Sequence, residues 1–243
     1  MFLKVYIMLS NNWLIQKLNV IDSTQNYARK LINNDSQVLI LANEQTNGYG
    51  QEKRHWESLK GNLHTSLIIP NVKPVSNVTY VIGIAIGNTI NSFNADLEIQ
   101  YKWVNDVLIN DKKVAGILTE QSDNRLIIGI GLNLLSHPNI SKTSIVGATN
   151  LLENGLHITP EEFIEKFLTI FTDLYNQWIE DGFEDFRKLW KAKAFKINEF
   201  VSIKSGDSVV SGILYDLDPI DGSIIIQNNN NQLTKLQVGK WIM

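Results

Sequence analysis

The chain has 243 residues, 44% hydrophobic and 19% charged, with a formal net charge of -3 and a sequence pI of about 5.8. This composition suits a globular protein with a sizeable core, as one large domain or one domain with a small appendage, and gives no basic field for nucleic acid. The absence of cysteine excludes disulfides, thiolate metal sites and cysteine nucleophiles, and is compatible with the cytoplasm, the expected compartment.

The N-terminal run Met1-Phe2-Leu3-Lys4-Val5-Tyr6-Ile7-Met8-Leu9 is too short to span a bilayer and lacks a small-residue cleavage site, so an edge strand is expected and no membrane partner. Met8 is an alternative start. Trp13-Leu14-Ile15 begins a short strand. Ser23 and Thr24 are good helix caps, and Tyr27, Ala28, Leu31 and Ile32 follow at helical spacing until Asn33-Asn34 stop the helix. Residues 38–42 are a continuous apolar run, a buried strand. Residues 44–56 show neither helical nor strand period; their glycines mark a long irregular loop, a class enriched in function.

A strand with Leu63, Leu67 and Ile69 ends at Pro70. Ile82, Ala85, Ile86, Thr89, Ile90 and Phe93 then repeat as a helix face, a periodicity that outranks their β-branched propensity. Strands are expected at residues 99–103, 107–109, 114–120 and 126–134, with Asn110-Asp111 as a turn. Thr159-Pro160-Glu161-Glu162 is a capping box with proline at the first helical position. Phe163, Phe167, Ile170, Phe171, Leu174 and Trp178 form that helix's buried stripe, Gly182 ends it, and an amphipathic segment runs to Trp190. The composition shifts near Phe195. Beyond it come short strands at residues 200–203, 212–215 and 223–226 and a last one ending at Trp241, with turns at Asp221-Gly222 and Asn228 to Asn231. The expected organisation is residues 1–195 as one domain and 196–243 as a small β-barrel leaning on it.

The four histidines, His55, His64, His137 and His157, lack metal-ligand spacing. Chemistry concentrates elsewhere. Lys102-Trp103-Val104-Asn105-Asp106, then Lys113-Val114-Ala115-Gly116-Ile117-Leu118, place a carboxylate, an amide and two lysines at the ends of adjacent strands. That set suits a magnesium nucleotide: an oxygen ligand for a hard cation and ammonium groups for phosphate. Alone, a Lys-Asp pair beside a hairpin is equally a solvated turn.

Five separated pieces together resemble the biotin protein ligases. Ser23-Thr24-Gln25 resembles the family's Ser-Thr-Asn/Gln helix start. Residues 44–56, with Gly48-Tyr49-Gly50-Gln51-Glu52-Lys53-Arg54-His55-Trp56, resemble its Gly-Arg-Gly-Arg-Arg-Gly-Arg-x-Trp loop. Lys102 to Asp106 and Lys113 to Leu118 resemble Lys-Trp-Pro-Asn-Asp and Lys-x-Ala-Gly-Ile-Leu. Gly129-Ile130-Gly131-Leu132-Asn133 resembles Gly-Ile-Gly-x-Asn. The resemblance covers nearly the whole chain. It implies an α+β fold like the catalytic domain of class II aminoacyl-tRNA synthetases, a mixed sheet with helices mainly on one face, plus a C-terminal SH3-like barrel.

The activity implied is ATP-dependent. Biotin is activated as biotinyl-5'-adenylate and passed to a lysine of a biotin carboxyl carrier domain, with biotin, ATP and Mg as substrates and nucleotide metal. By the same resemblance Ser23, Thr24, Gln25 and Gln45 would bind the biotin head, and Gly48, Tyr49, Gly50 and Gln51 would cover the ligand. Arg54 and Lys113 would hold phosphate and the biotin carboxylate. Gly116 would allow close approach of the backbone. Trp56, Lys102, Asn105 and Asn133 complete the nucleotide side, with Trp56 either stacking on adenine or packing in the core. Asn105 and Asp106 would hold Mg, or Asp106 would accept the incoming lysine's proton. No segment for a winged helix-turn-helix is seen, so no operator binding is expected. The oligomeric state is monomer or homodimer, with residues 114–120 as a candidate edge for pairing two copies.

The chain departs from the family where Tyr49, Gln51 and Glu52 replace arginines, Lys53 replaces glycine and Val104 replaces proline. Loss of the arginine at Gln51 removes charge-assisted bonding to the adenylate, so leakage is expected. Two other readings are a lipoate or octanoate ligase or transferase of the same fold, and a degenerate biotin-binding protein.

Overall fold

The computed structural model describes residues 6–10, 13–32, 36–139 and 145–242, side chains of 6–10 excepted. The expected strand start at residues 1–5 and the stop at Asn33-Asn34 lie outside them. Among the described residues one sheet holds β1 (Tyr6–Ser10), β2 (Trp13–Ile21), β3 (Gln37–Gln45), β4 (Leu63–Pro70), β5 (Ile99–Lys102), β6 (Asp106–Ile109), β7 (Lys112–Ser122) and β8 (Arg125–Leu132). Their spatial order is β1-β2-β3-β4-β8-β7-β6-β5. β2 and β3 are parallel, and the other pairs are antiparallel.

Alternation along the central strands builds two cores, because successive side chains point to opposite faces. Leu39, Leu41, Leu67, Ile69, Leu126, Ile128 and Ile130 face α2 (Val75–Phe93) and α3 (Pro160–Asp181) in the large core. Val38, Ile40, Ala42, Ile68 and Ile127 pack on the other face with Ala28 of α1 (Thr24–Arg29). Helix α2 forms despite its β-branched residues because it is buried continuously from Tyr80 to Gly87, so packing overrides propensity. On α3 the Phe163, Phe167 and Phe171 rings stack at 6.1 and 5.6 Å, and Phe171 meets Trp13 of β2 at 6.1 Å. Thr159 and Glu162 close the expected capping box, and α4 (Glu184–Ala192) is the amphipathic segment.

Several bounds differ from expectation. β2 continues to Ile21 because its parallel pairing with β3 runs on to Ile21 opposite Gln45. α1 stops at Arg29; Leu31 and Ile32 follow in a turn, packed against the smaller core. Glu44 and Gln45 belong to β3, held by pairing to β2. β7 is flanked by β6 along its first half, so residues 114–116 form no free edge; the edge strands are β1 and β5.

The C-terminal region is a five-stranded antiparallel sheet, among the described residues: β9 (Phe200–Ser205), β10 (Ser208–Leu217), β11 (Ile224–Gln227), β12 (Leu233–Leu236) and β13 (Lys240–Ile242), in the order β12-β11-β10-β9-β13. β12 is not foreseen from the sequence, and β10 begins earlier than expected. This sheet leans on the first one. Tyr80 Oη donates to Gly222 O, Asn77 Nδ2 to Ile220 O at 3.0 Å, and Trp241 Nε1 to Trp103 O at 2.6 Å. Arg187 and Lys191 of α4 each lie 2.8 Å from Asp216. Among the described residues no helix is long and apolar enough to cross a membrane.

Candidate active site

One transverse row of the large sheet organises the site. Lys102 on β5 stands opposite Asp106 on β6, Asp106 opposite Gly116 on β7, and Gly116 opposite Gly131 on β8. The next row pairs Leu118 with Gly129, and Gly129 with Ser66 on β4. Opposite residues in a ladder share a face, so two charged side chains and three glycines line one patch, on the face that carries α1. A cavity of about 570 Å³ opens above it.

The charged end is compact. Lys113 Nζ lies 2.6 Å from Asp106 Oδ1 and Lys102 Nζ lies 3.2 Å from Asp106 Oδ2. Burial pushes the Asp106 carboxyl up, but Lys113 and then Lys102 overcome this and hold it below the usual carboxylate range. Asn105 Nδ2 donates to Ile117 O at 2.6 Å, which ties the turn after β5 to β7. The Trp103–Val104 peptide in that turn is cis. Asn133 Nδ2 is committed to Thr149 O at 3.0 Å.

The opposite end is neutral and polar. Ser23 caps α1 by accepting from Asn26 N at 3.4 Å, compatible with a second role at the cavity wall. Gln45 Oε1 accepts from Thr24 N at 2.8 Å, and its Nε2 donates to Ser58 Oγ at 3.0 Å. Ser66 Oγ lies 2.8 Å from both Thr24 Oγ1 and Gln25 Oε1. Gln25, only 3% exposed, is no solvated helix residue.

Residues 46–58 roof the cavity. Tyr49 and His55 bridge across the loop, and Glu52 and Lys53 take left-handed φ values of 55° and 56°. Lys53 thus adopts, where the family pattern has glycine, a backbone that glycine adopts most easily. Arg54 Nε donates to Gln51 O at 3.2 Å, and its side chain is 60% exposed. The Trp56 indole lies on the glycine floor: a Cβ on Gly131 would come to 2.3 Å from it and one on Gly116 to 3.1 Å. Lys113 Nζ is 5.4 Å from the Trp56 ring centroid. Trp56 is therefore a cavity residue rather than a core one.

Of the residues singled out in the sequence, Ser23, Thr24, Gln25, Gln45, Tyr49, Gly50, Gln51, Arg54, Trp56, Lys102, Asn105, Asp106, Lys113, Gly116 and Asn133 all line this one cavity. Gly48 does not line it. Its missing side chain lets the loop close on Gln45 and Ser58, where a Cβ would meet atoms at 2.8 and 2.9 Å. Sequence reasoning missed Ser66, whose signal was a run of three polar residues, His64, Thr65 and Ser66, inside a strand buried along nearly its whole length. It also missed Lys240, which reaches the cavity from β13. Metal fit is poor at Asp106, because both carboxylate oxygens already accept from ammonium groups. Among the described residues no three acidic or histidine side chains gather to hold a cation.

Comparison with known proteins adds to the geometry. A model of the biotin/lipoate A/B protein ligase family matches residues 18–134. The bifunctional ligase/repressor BirA of Bacillus subtilis (strain 168) is 30% identical over 231 residues, 90% of this chain and 70% of the relative. The biotin–[acetyl-CoA-carboxylase] ligase of Paracoccus denitrificans is 30% identical over 220 residues, 85% of this chain and 91% of the relative. The solved structure of biotin protein ligase from Aquifex aeolicus in complex with biotin and ATP superposes with a TM-score of 0.83 at 26% identity, covering 93% of this chain and 97% of that one.

Proposed function

The chain belongs to the biotin protein ligase family, and on that footing we propose that its cavity joins biotin to AMP and passes the biotinyl group to a lysine of a biotin carboxyl carrier domain. In the first step a carboxylate oxygen of biotin attacks the α-phosphorus of ATP, and the bond to pyrophosphate breaks. In the second, the acceptor lysine's amine attacks the acyl carbon and AMP leaves. Neither step needs a nucleophile from the protein, in keeping with a chain that has no cysteine. Its task is to bring two anions together and neutralise the charge between them.

The observation that carries this reading is the polarity of the cavity: a neutral hydrogen-bonding end at Thr24, Gln25 and Gln45, and a cationic end at Lys102 and Lys113. In our reading the first end takes the ureido head, whose donors and acceptors it can pair. The second takes the carboxylate and α-phosphate. Asp106 keeps the two ammonium groups apart and oriented. Magnesium arrives with the nucleotide as part of the substrate, since Asp106 offers no unengaged oxygen. Arg54, mostly exposed, reaches phosphate when the loop settles on the ligand. Trp56 moves off the glycine floor to admit the ligand, so that the floor takes the ligand backbone and the indole meets adenine.

The family model spans both biotin and lipoate chemistry, whereas the Paracoccus denitrificans relative at 30% identity is named a biotin–[acetyl-CoA-carboxylase] ligase and the Aquifex aeolicus structure a biotin protein ligase. The test is mass spectrometry of an acceptor domain incubated with the protein, biotin and Mg-ATP, with lipoate as competitor. A gain of one biotinyl group on the acceptor, undiminished by lipoate, is expected. Lipoyl transfer, or biotin bound with no AMP formed, overturns the reading.

A further inference from the structure

Glu120 on β7 is not among the residues that line the cavity, yet the polar groups of that end converge on it. Its Oε2 accepts from Gln25 Nε2 at 2.8 Å, from Tyr49 Oη at 3.3 Å and from Arg29 Nη2 at 2.7 Å. Its Oε1 lies 3.9 Å from Lys53 Nζ, which also sits 3.9 Å above the Tyr49 ring. Glu120 therefore joins three parts of the chain: the helix α1 that presents Gln25, the roof loop that presents Tyr49 and Lys53, and the strand β7 that presents Gly116.

An ionised carboxylate only accepts hydrogen bonds, so it dictates the polarity of its partners. Gln25 Nε2 donates to Glu120 and, at 3.2 Å, to Ile127 O, which uses both its hydrogens. Gln25 Oε1 must then face Ser66, at 2.8 Å, and keeps one lone pair for the cavity. Gln25 offers a ligand an acceptor and no donor. From Glu120 the bonded chain continues through Gln25 and Ser66 to the Thr24 hydroxyl, then from the Thr24 backbone N–H to Gln45 and on to Ser58, so the roof loop is tied at both ends to one polar string beneath the cavity.

We propose that Glu120 is a positioning residue that fixes the amide direction of Gln25 and latches the roof loop through Tyr49 and Lys53. The latch stands in for the loop arginines that the family pattern has and this chain lacks. The biotin-head part of the inference rests on the function proposed above; the latch does not.

The test is limited trypsin digestion after Lys53 and Arg54 in ligand-free protein, together with biotin titration by calorimetry. Glu120→Gln is expected to raise the loop cutting rate about fivefold or more and to weaken biotin binding about tenfold. ATP affinity should stay within about twofold, because the cationic end is untouched. Tyr49→Phe, which removes one hydroxyl and should fold normally, raises cutting by less, and adds nothing when combined with Glu120→Gln. Glu120→Asp restores part of the protection. Unchanged cutting in both single variants, or effects that multiply as for independent sites, overturns the latch. Wild-type protein that binds no biotin would fault the functional reading, and the digestion still decides the latch.

Discussion

Lys113 Nζ lies 2.6 Å from Asp106 Oδ1, and the Asp106 side chain is only 11% exposed. With Lys102 on the other oxygen, this three-residue cluster carries two positive charges and one negative before any substrate enters. That surplus charge is what an incoming carboxylate and triphosphate require. Lys113→Ala should lower biotin-dependent adenylate formation by about 10²-fold or more, comparable to loss of one preorganised donor at a reacting centre. Quenched-flow measurement of AMP checks it.

The same relationship fixes a pH response. The folded Asp106 carboxyl is depressed, so its stabilisation is complete above the unfolded value of about 3.9 and is lost only as pH falls through the lower folded value. Titration of Asp106 should leave the site intact from neutral pH down to about pH 4. Urea unfolding of wild type and Asp106→Asn at pH 7 and pH 3 checks the sign: the gap between them should shrink in acid.

Gly131 lies beneath Trp56, where an added Cβ would come to 2.3 Å from the indole. Gly131→Ala should cost about 1–3 kcal/mol through overpacking and block the floor to ligand. Gly131→Ala with Trp56→Ala should regain the stability but not the activity. Denaturant midpoints and AMP formation, measured together, separate the two effects.

Gln51 lines the cavity, and its carbonyl holds Arg54. Gln51→Arg should slow release of free biotinyl-adenylate, because a guanidinium bonds a phosphate more strongly than a neutral amide does, by about 1 kcal/mol or more. Release followed in the absence of acceptor should slow by about fivefold or more. An unchanged rate sinks the idea of a leaky loop.

Much of the fold is written in local pattern. The helical stripe from Phe163 to Trp178 and the apolar runs of β3 and β8 announce elements whose burial follows their period. Asn110 and Asp111 mark their turn because both adopt positive φ, 49° and 62°, which asparagine and aspartate tolerate. β12 was illegible for the converse reason: Leu233, Thr234 and Lys235 are exposed and only Leu236 is buried, so no alternation shows. The charged end of the site was readable because Lys102 to Lys113 lies within one hairpin region. The neutral end was only partly readable. Gln25 meets Glu120 across 95 positions and Ser66 across 41, and no local period encodes such contacts.

The central claim is that this cavity makes a biotinyl-adenylate. Biotin-dependent exchange of labelled pyrophosphate into ATP tests it most directly, since it reports reversal of the first step without any acceptor. We expect exchange that requires biotin and magnesium and is lost in Lys113→Ala. Biotin bound with no exchange, or exchange indifferent to Lys113, would contradict the account.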